Sequence, residues 1–123
     1  MISRILWIVG SFFVCLPISL HAQGVSTIEY KDVQVVLSLA GVAYDPAASP
    51  MAGVLVEEFS SDWKLALRST ESNQQGHFVM PPVKGRKIYF LQFSFRNCNP
   101  IRMRVKVDSR HGKELRIEMV NST

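Results

Sequence analysis

The sequence predicts an all-β fold, a seven-stranded antiparallel sandwich, and three observations predict it. Short runs in which apolar and polar residues alternate with period two recur at close spacing through most of the chain. Turn chemistry separates them, as in DPAASP (45–50), NQQG (73–76), RNCNP (96–100) and DSRHG (108–112). No stretch after residue 22 has convincing amphipathic-helix spacing.

The chain opens on a different signature. Arg4 gives a short positive region, Ile5 to Leu20 is almost continuously apolar, and Ala22 is a small residue before Gln23. This is the pattern of a secretory signal peptide over residues 1–22, and it implies a secreted or periplasmic protein. The alternative is an uncleaved anchor, because Leu20 is not the small residue preferred three positions before a cut. Cys15 follows Phe12, Phe13 and Val14 rather than a lipobox, which argues against a lipoprotein. Removal of Cys15 would leave Cys98 alone, so the fold must hold by packing without an internal disulfide.

Residues 23–32 are polar without period and read as a leader outside the core; the domain is expected over 33–123. Leu37, Leu39, Gly41 and Ala43 then fall on one face of the first long strand, with Ser38, Ala40, Val42 and Tyr44 on the other. After the 45–50 turn, Val54 and Val56 continue one face while Leu55, Glu57 and Phe59 take the other. Glu58 falls in phase with the two valines, so either a bulge re-aims it or the strand leaves the core there. Trp63, Leu65 and Leu67 alternate with Lys64, Ala66 and Arg68, the pattern of a short half-buried strand. Phe78 and Met80 mark a brief strand closed by Pro81 and Pro82. Tyr89, Leu91 and Phe93 oppose Ile88, Phe90 and Gln92. Finally Ile101, Met103, Val105 and Val107 alternate with Arg102, Arg104 and Lys106, and Leu115, Ile117 and Met119 with Glu114, Arg116 and Glu118. Such alternation gives each strand one packed face and one wet face.

Gly41 with Asp45, the run Pro50-Met51-Ala52-Gly53-Val54, Ser69-Thr70, Gly76-His77-Phe78, and Gly85 with Tyr89 and Leu91 resemble the carboxypeptidase regulatory-like domain family. The resemblance covers Val35 to Met119 and implies a prealbumin-like (transthyretin-like) Greek-key β-sandwich. It also implies a non-catalytic accessory role, since the family's members are mostly such domains on bacterial peptidases, envelope transporters and surface proteins. The chain departs from the pattern at Gln74 and Gln75, where acidic residues are usual, and at Glu58, where a core valine is common.

The catalytic inventory is thin. His77, His111 and Cys98 stand in no nucleophile–base motif, so no catalytic residue is assigned and the chain is not expected to be an enzyme. Asp45 and Asp62 are lone carboxylates, whereas hard cations need several converging oxygens; no metal or cofactor is implied. Lys31, Asn121 and Glu58 resemble the set in some related surface sandwiches, where a first-strand lysine is crosslinked to a last-strand asparagine beside a buried acid. Trp63 reads either as core or as a platform for a sugar ring.

Charge is unevenly placed. Between Gln23 and Val83 seven acidic residues stand against three basic ones; from Lys84 to Thr123 ten basic residues stand against three acidic. Arg102, Arg104 and Lys106 project from one side of a strand, near Arg116 on the next, and form the candidate interaction face. The partners expected are an envelope protein or an anionic surface of polysaccharide or lipid head groups, not nucleic acid, which an exported protein rarely meets. Self-association through the oppositely charged halves, or through Cys98, is the other prospect. A second outward set, Val42, Tyr44, Leu55, Phe59, Ile88 and Phe90, would make an apolar patch if its members gather. These features predict a non-enzymatic binding or structural module, with a carbohydrate-binding module as the alternative.

Overall fold

Eight strands and no helix make up residues 26–122, the part of the chain that the computed structural model describes; the expected signal peptide lies outside it. In order they are β1 (Ile28–Glu29), β2 (Gln34–Tyr44), β3 (Leu55–Phe59), β4 (Ala66–Glu71), β5 (His77–Val79), β6 (Ile88–Ser94), β7 (Ile101–Val107) and β8 (Lys113–Glu118). They join in one mixed, nearly barrel-like sheet with the order β4-β3-β6-β7-β2-β5; β1 pairs β7, and β8 pairs β2. The all-β expectation holds. The all-antiparallel one does not, because β1–β7, β2–β7 and β2–β8 are parallel. Period-two alternation reports which face is buried and carries nothing about a strand's neighbour.

β2 is the element that wraps the sheet around its core. Its first residues pair with the end of β7 (Val36 opposite Val107), and its last residues pair with β5 on one side and β8 on the other (Val42 opposite His77 and Arg116). Between Val36 and Gly41 the register with β8 shifts, which breaks the alternation once. Val36, Leu39 and Ala43 are therefore buried and Leu37 is exposed, where the simple pattern put Leu37 inside. Gly41 sits where β8 crowds closest: a Cβ there would lie 2.1 Å from the Leu115 carbonyl oxygen.

The core is built from the inward sets that alternation identifies. Tyr89, Leu91 and Phe93 of β6 meet Ile101, Met103 and Val105 of β7, and Leu115, Ile117 and Met119 close the far side. Each large side chain removed from water in this way contributes about 1.5–3 kcal/mol. Phe78 and Phe93 pack edge to face at 5.6 Å across this interior. Buried Ser72 is satisfied twice: its hydroxyl donates to the Met51 carbonyl (2.6 Å) and accepts from the Val54 N–H (2.9 Å).

Two local expectations are corrected. The leader is not wholly outside the core, because Ile28 packs against it and the Ile28 and Tyr30 N–H groups donate to the carbonyls of Pro100 and Arg102. The half-buried strand expected from Trp63 begins instead at Ala66, with Leu65 and Leu67 exposed. The β3–β4 register passes from Glu58 opposite Arg68 to Phe59 opposite Ala66, so Leu67 is a bulge, while Arg68 shares the inward phase of Thr70 and Ser72.

Candidate functional site

Glu58 stays in phase with Val54 and Val56 and is only 1% exposed, so neither escape anticipated for it occurs. The bulge lies on the partner strand, just beyond Arg68, and the regular register before it sets Arg68 opposite Glu58 as a countercharge. Arg68 donates from Nε to Glu58 Oε1 at 2.6 Å, and Arg86 Nη1 donates to Oε2. Arg86 comes from the turn before β6, which the Tyr89 hydroxyl pins by donating to the Arg86 carbonyl (2.8 Å) and accepting from the Val83 N–H (3.0 Å). The three charges tie β3, β4 and that turn together. With both Glu58 oxygens so engaged, Lys31 and Asn121 do not enter the site: Lys31 lies beside Arg104 and Asn121 beside Cys98.

The outer surface of β6 and β7 holds Arg102 and Arg104 of the sequence-predicted cations. Gln92 lies opposite both Arg102 and Glu57, and Phe90 opposite both Arg104 and Phe59. The loop after β3 folds back over this surface. Ser60 and Asp62 organise it, the Ser60 hydroxyl donating to Asp62 Oδ1 at 2.6 Å, and Trp63 adopts a left-handed φ of 64°. Its ring packs against Phe90 at 5.5 Å and Phe59 at 5.8 Å. Arg102 is fixed over this cluster: Nε donates to Gln92 Oε1 at 2.7 Å, and the guanidinium lies 4.7 Å from the Trp63 ring and 5.7 Å from Phe59. Arg104 donates to the Lys31 carbonyl. A cleft of ≈ 280 Å³ opens here, with Tyr30, Trp63, Arg102 and Arg104 in its walls.

The four predicted cations thus divide. Arg102 and Arg104 share the aromatic cleft; Lys106, farther along β7, lines a different cavity. Arg116 is not beside them. The DSRHG turn leads β8 to β2 rather than back to β7, and Arg116 there lies 5.1 Å from the Tyr44 ring and 3.5 Å from Glu114. The apolar outward set divides in the same way, with Phe59 and Phe90 gathered around Trp63 and Val42 and Tyr44 on the β2–β8 side. Sequence reading missed Gln92, whose signal was a polar residue on a strand face shared with Phe90.

His77 and His111 are exposed, and His111 Nδ1 lies 3.2 Å from Asp108 Oδ2. Cys98 is buried beside Asn121, and burial pushes its thiol pKa up, the reverse of what a reactive thiol needs. Among the described residues no three His, Cys, Asp or Glu side chains gather as metal ligands do. Wider hollows beside Phe95 and Cys98 carry Arg96 as their cation, one of them with Asp45, Asn97 and Asn121 also in its walls. No protein-family profile matches the chain, and no curated protein is similar to it in sequence.

Proposed function

We propose that the chain is an exported, non-enzymatic binding module of the bacterial envelope, a seven-stranded Greek-key sandwich core of the carboxypeptidase regulatory-like kind with β1 added at its edge. On this reading it holds an anionic partner, an acidic polysaccharide above all, in the Arg102 cleft. The observation that carries the reading is Arg102 itself. Its stem and Nε are held by Gln92, Trp63 and Phe59, while its terminal nitrogens have no hydrogen-bond partner among the described residues. An immobilised guanidinium with its fork unused is suited to bidentate recognition of a carboxylate or sulfate. The left-handed glycines Gly53, Gly76 and Gly85 (φ 82°, 79° and 82°) support the family likeness, since they fall at its turn positions.

Polygalacturonate binding followed by calorimetry tests the reading. Binding should weaken with salt and be lost in Arg102→Glu with Arg104→Glu; indifference to both would sink the proposal. The carbohydrate-module reading draws on one observation, that Trp63 lies against the outer surface rather than in the core. Neutral-glycan binding that survives high salt and Arg102→Gln but fails in Trp63→Ala would favour it.

A further inference from the structure

We propose that the end of the sheet where β6 begins and β7 stops is a second site, one that takes a phosphate group. Segments far apart in sequence meet there around a cavity of ≈ 460 Å³: the turn before β6 brings Arg86 and Lys87, β7 brings Lys106, and the turn after β7 brings Arg110. Tyr89 forms part of the wall.

The charges around this hollow do not cancel. Arg86 is committed to Glu58, but Lys87, Lys106 and Arg110 have no ion-pair partner among the described residues. Asp108 also lines the cavity, yet its carboxylate is used locally: Oδ1 accepts the N–H groups of Arg110 (3.0 Å) and His111 (3.2 Å), and Oδ2 faces the His111 ring. That carboxylate shapes the turn which presents Arg110. The local balance stays positive, and gathered like charges repel until an anion enters.

The backbone that carries these cations is pinned. The Tyr89 hydroxyl fixes the turn at Arg86, the Val107 N–H donates to the Lys87 carbonyl (2.9 Å), and the Asp108 N–H donates to the Val36 carbonyl (2.8 Å). Only the outer parts of the long side chains remain to be ordered by a ligand, which lowers the cost of binding. Two lysines and an arginine lining one hollow offer the ammonium groups and guanidinium fork that suit the several oxygens of a phosphate. A free phosphate and a lipid headgroup both present this chemistry.

Amide NMR of the protein during titration with inorganic phosphate, and co-sedimentation with phosphatidylglycerol–phosphatidylcholine vesicles, test the site. The expected result is saturable shifts at residues 86–88 and 106–111, weakened about tenfold by Lys87→Glu or Arg110→Glu. Arg96→Glu, an exposed reversal away from the cavity, should leave the shifts unchanged. A response to both probes with this variant pattern identifies the phosphate group itself as the ligand. A response to vesicles alone, with the same pattern and none with pure phosphatidylcholine, identifies the headgroup. No response to either probe, or an equal loss in Arg96→Glu, overturns the proposal.

Discussion

Arg68 reaches Glu58 across the β3–β4 pair on the core side of the sheet, its Nε 2.6 Å from Oε1. The contact exists because Arg68 lies directly opposite Glu58, in phase with Thr70 and buried Ser72, while the register shift beyond it leaves Leu67 unpaired and exposed. Burying a carboxylate costs several kcal/mol, and one guanidinium at the edge of the sheet offsets that only in part. Arg86 supplies the second countercharge. One terminal nitrogen of Arg68, Nη2, remains buried without a partner.

Glu58→Gln should therefore destabilise the chain by about 2–4 kcal/mol, discounted from a fully buried pair because both arginines keep some contact with water. Replacing Glu58 and Arg68 together by methionine should cost clearly less, since the one charge left unpaired there, Arg86, is 39% exposed and is free to turn to solvent. Urea unfolding of the three proteins measures both. Equal losses would mean the ion pair has no role of its own.

Two glycine-to-alanine changes should differ sharply for separate reasons. Gly41→Ala drives a Cβ into the Leu115 carbonyl and should cost about 2–4 kcal/mol, because backbone on both strands has to move. Gly85→Ala meets nothing within 4 Å and carries only the penalty of its φ of +82°, about 1 kcal/mol. Thermal or urea midpoints would rank them, and a reversed order would contradict the β2–β8 contact.

Arg102 and Trp63 should be energetically coupled. A double-mutant cycle of Arg102→Met and Trp63→Leu is expected to give about 0.5–2 kcal/mol of interaction. Trp63 is the tryptophan of the described region, so its emission should also shift in Arg102→Met. A coupling of zero with unchanged emission would mean that the guanidinium does not rest on the ring in solution.

Acid should loosen two turns. The Ser60 hydroxyl first, then the Lys64 N–H, holds the Asp62 carboxyl below its ordinary value of 3.8. For Asp108 the Arg110 N–H leads, followed by that of His111, with the same direction. Both folded values lie below the unfolded ones, so their stabilisation is present above 3.8 and is lost as pH falls through the folded values. The stability gap between the native chain and an Asp62→Asn, Asp108→Asn variant should be full near neutrality and close below pH 3.8. A gap that persists at low pH would assign the effect to something other than carboxylate charge.

Much of the core was legible in the sequence because burial on a strand has period two. Tyr89, Leu91 and Phe93, like Ile101, Met103 and Val105, are inside where alternation puts them. The failures come where one extra residue changes the phase. The shift between Val36 and Gly41 exposes Leu37, and the bulge at Leu67 leaves that side chain unpaired and exposed. Arg102 and Arg104 were visible as outward cations; Trp63 over one and Lys31 beside the other were not, since both are long-range contacts. Arg116 was misplaced because a turn after β7 looks the same in sequence whether the next strand returns or crosses to β2.

The double membership of β2 also sets the order in which the protein can assemble. β2 is the first long strand to be made, yet its parallel neighbours are the last two strands, with Val36 opposite Val107 and Tyr44 opposite Glu118. Until those residues have been synthesised, Val36, Leu39 and Ala43 lack the covering that Leu115 and Ile117 supply. Pairings of such wide sequence separation form slowly, because loop closure comes before any gain in contact. The β4-β3-β6-β7 ladder can form early, but β2 stays without its β8 neighbour until the final described strand is present, and a ribosome stalled before Leu115 would hold a sheet left open along β2.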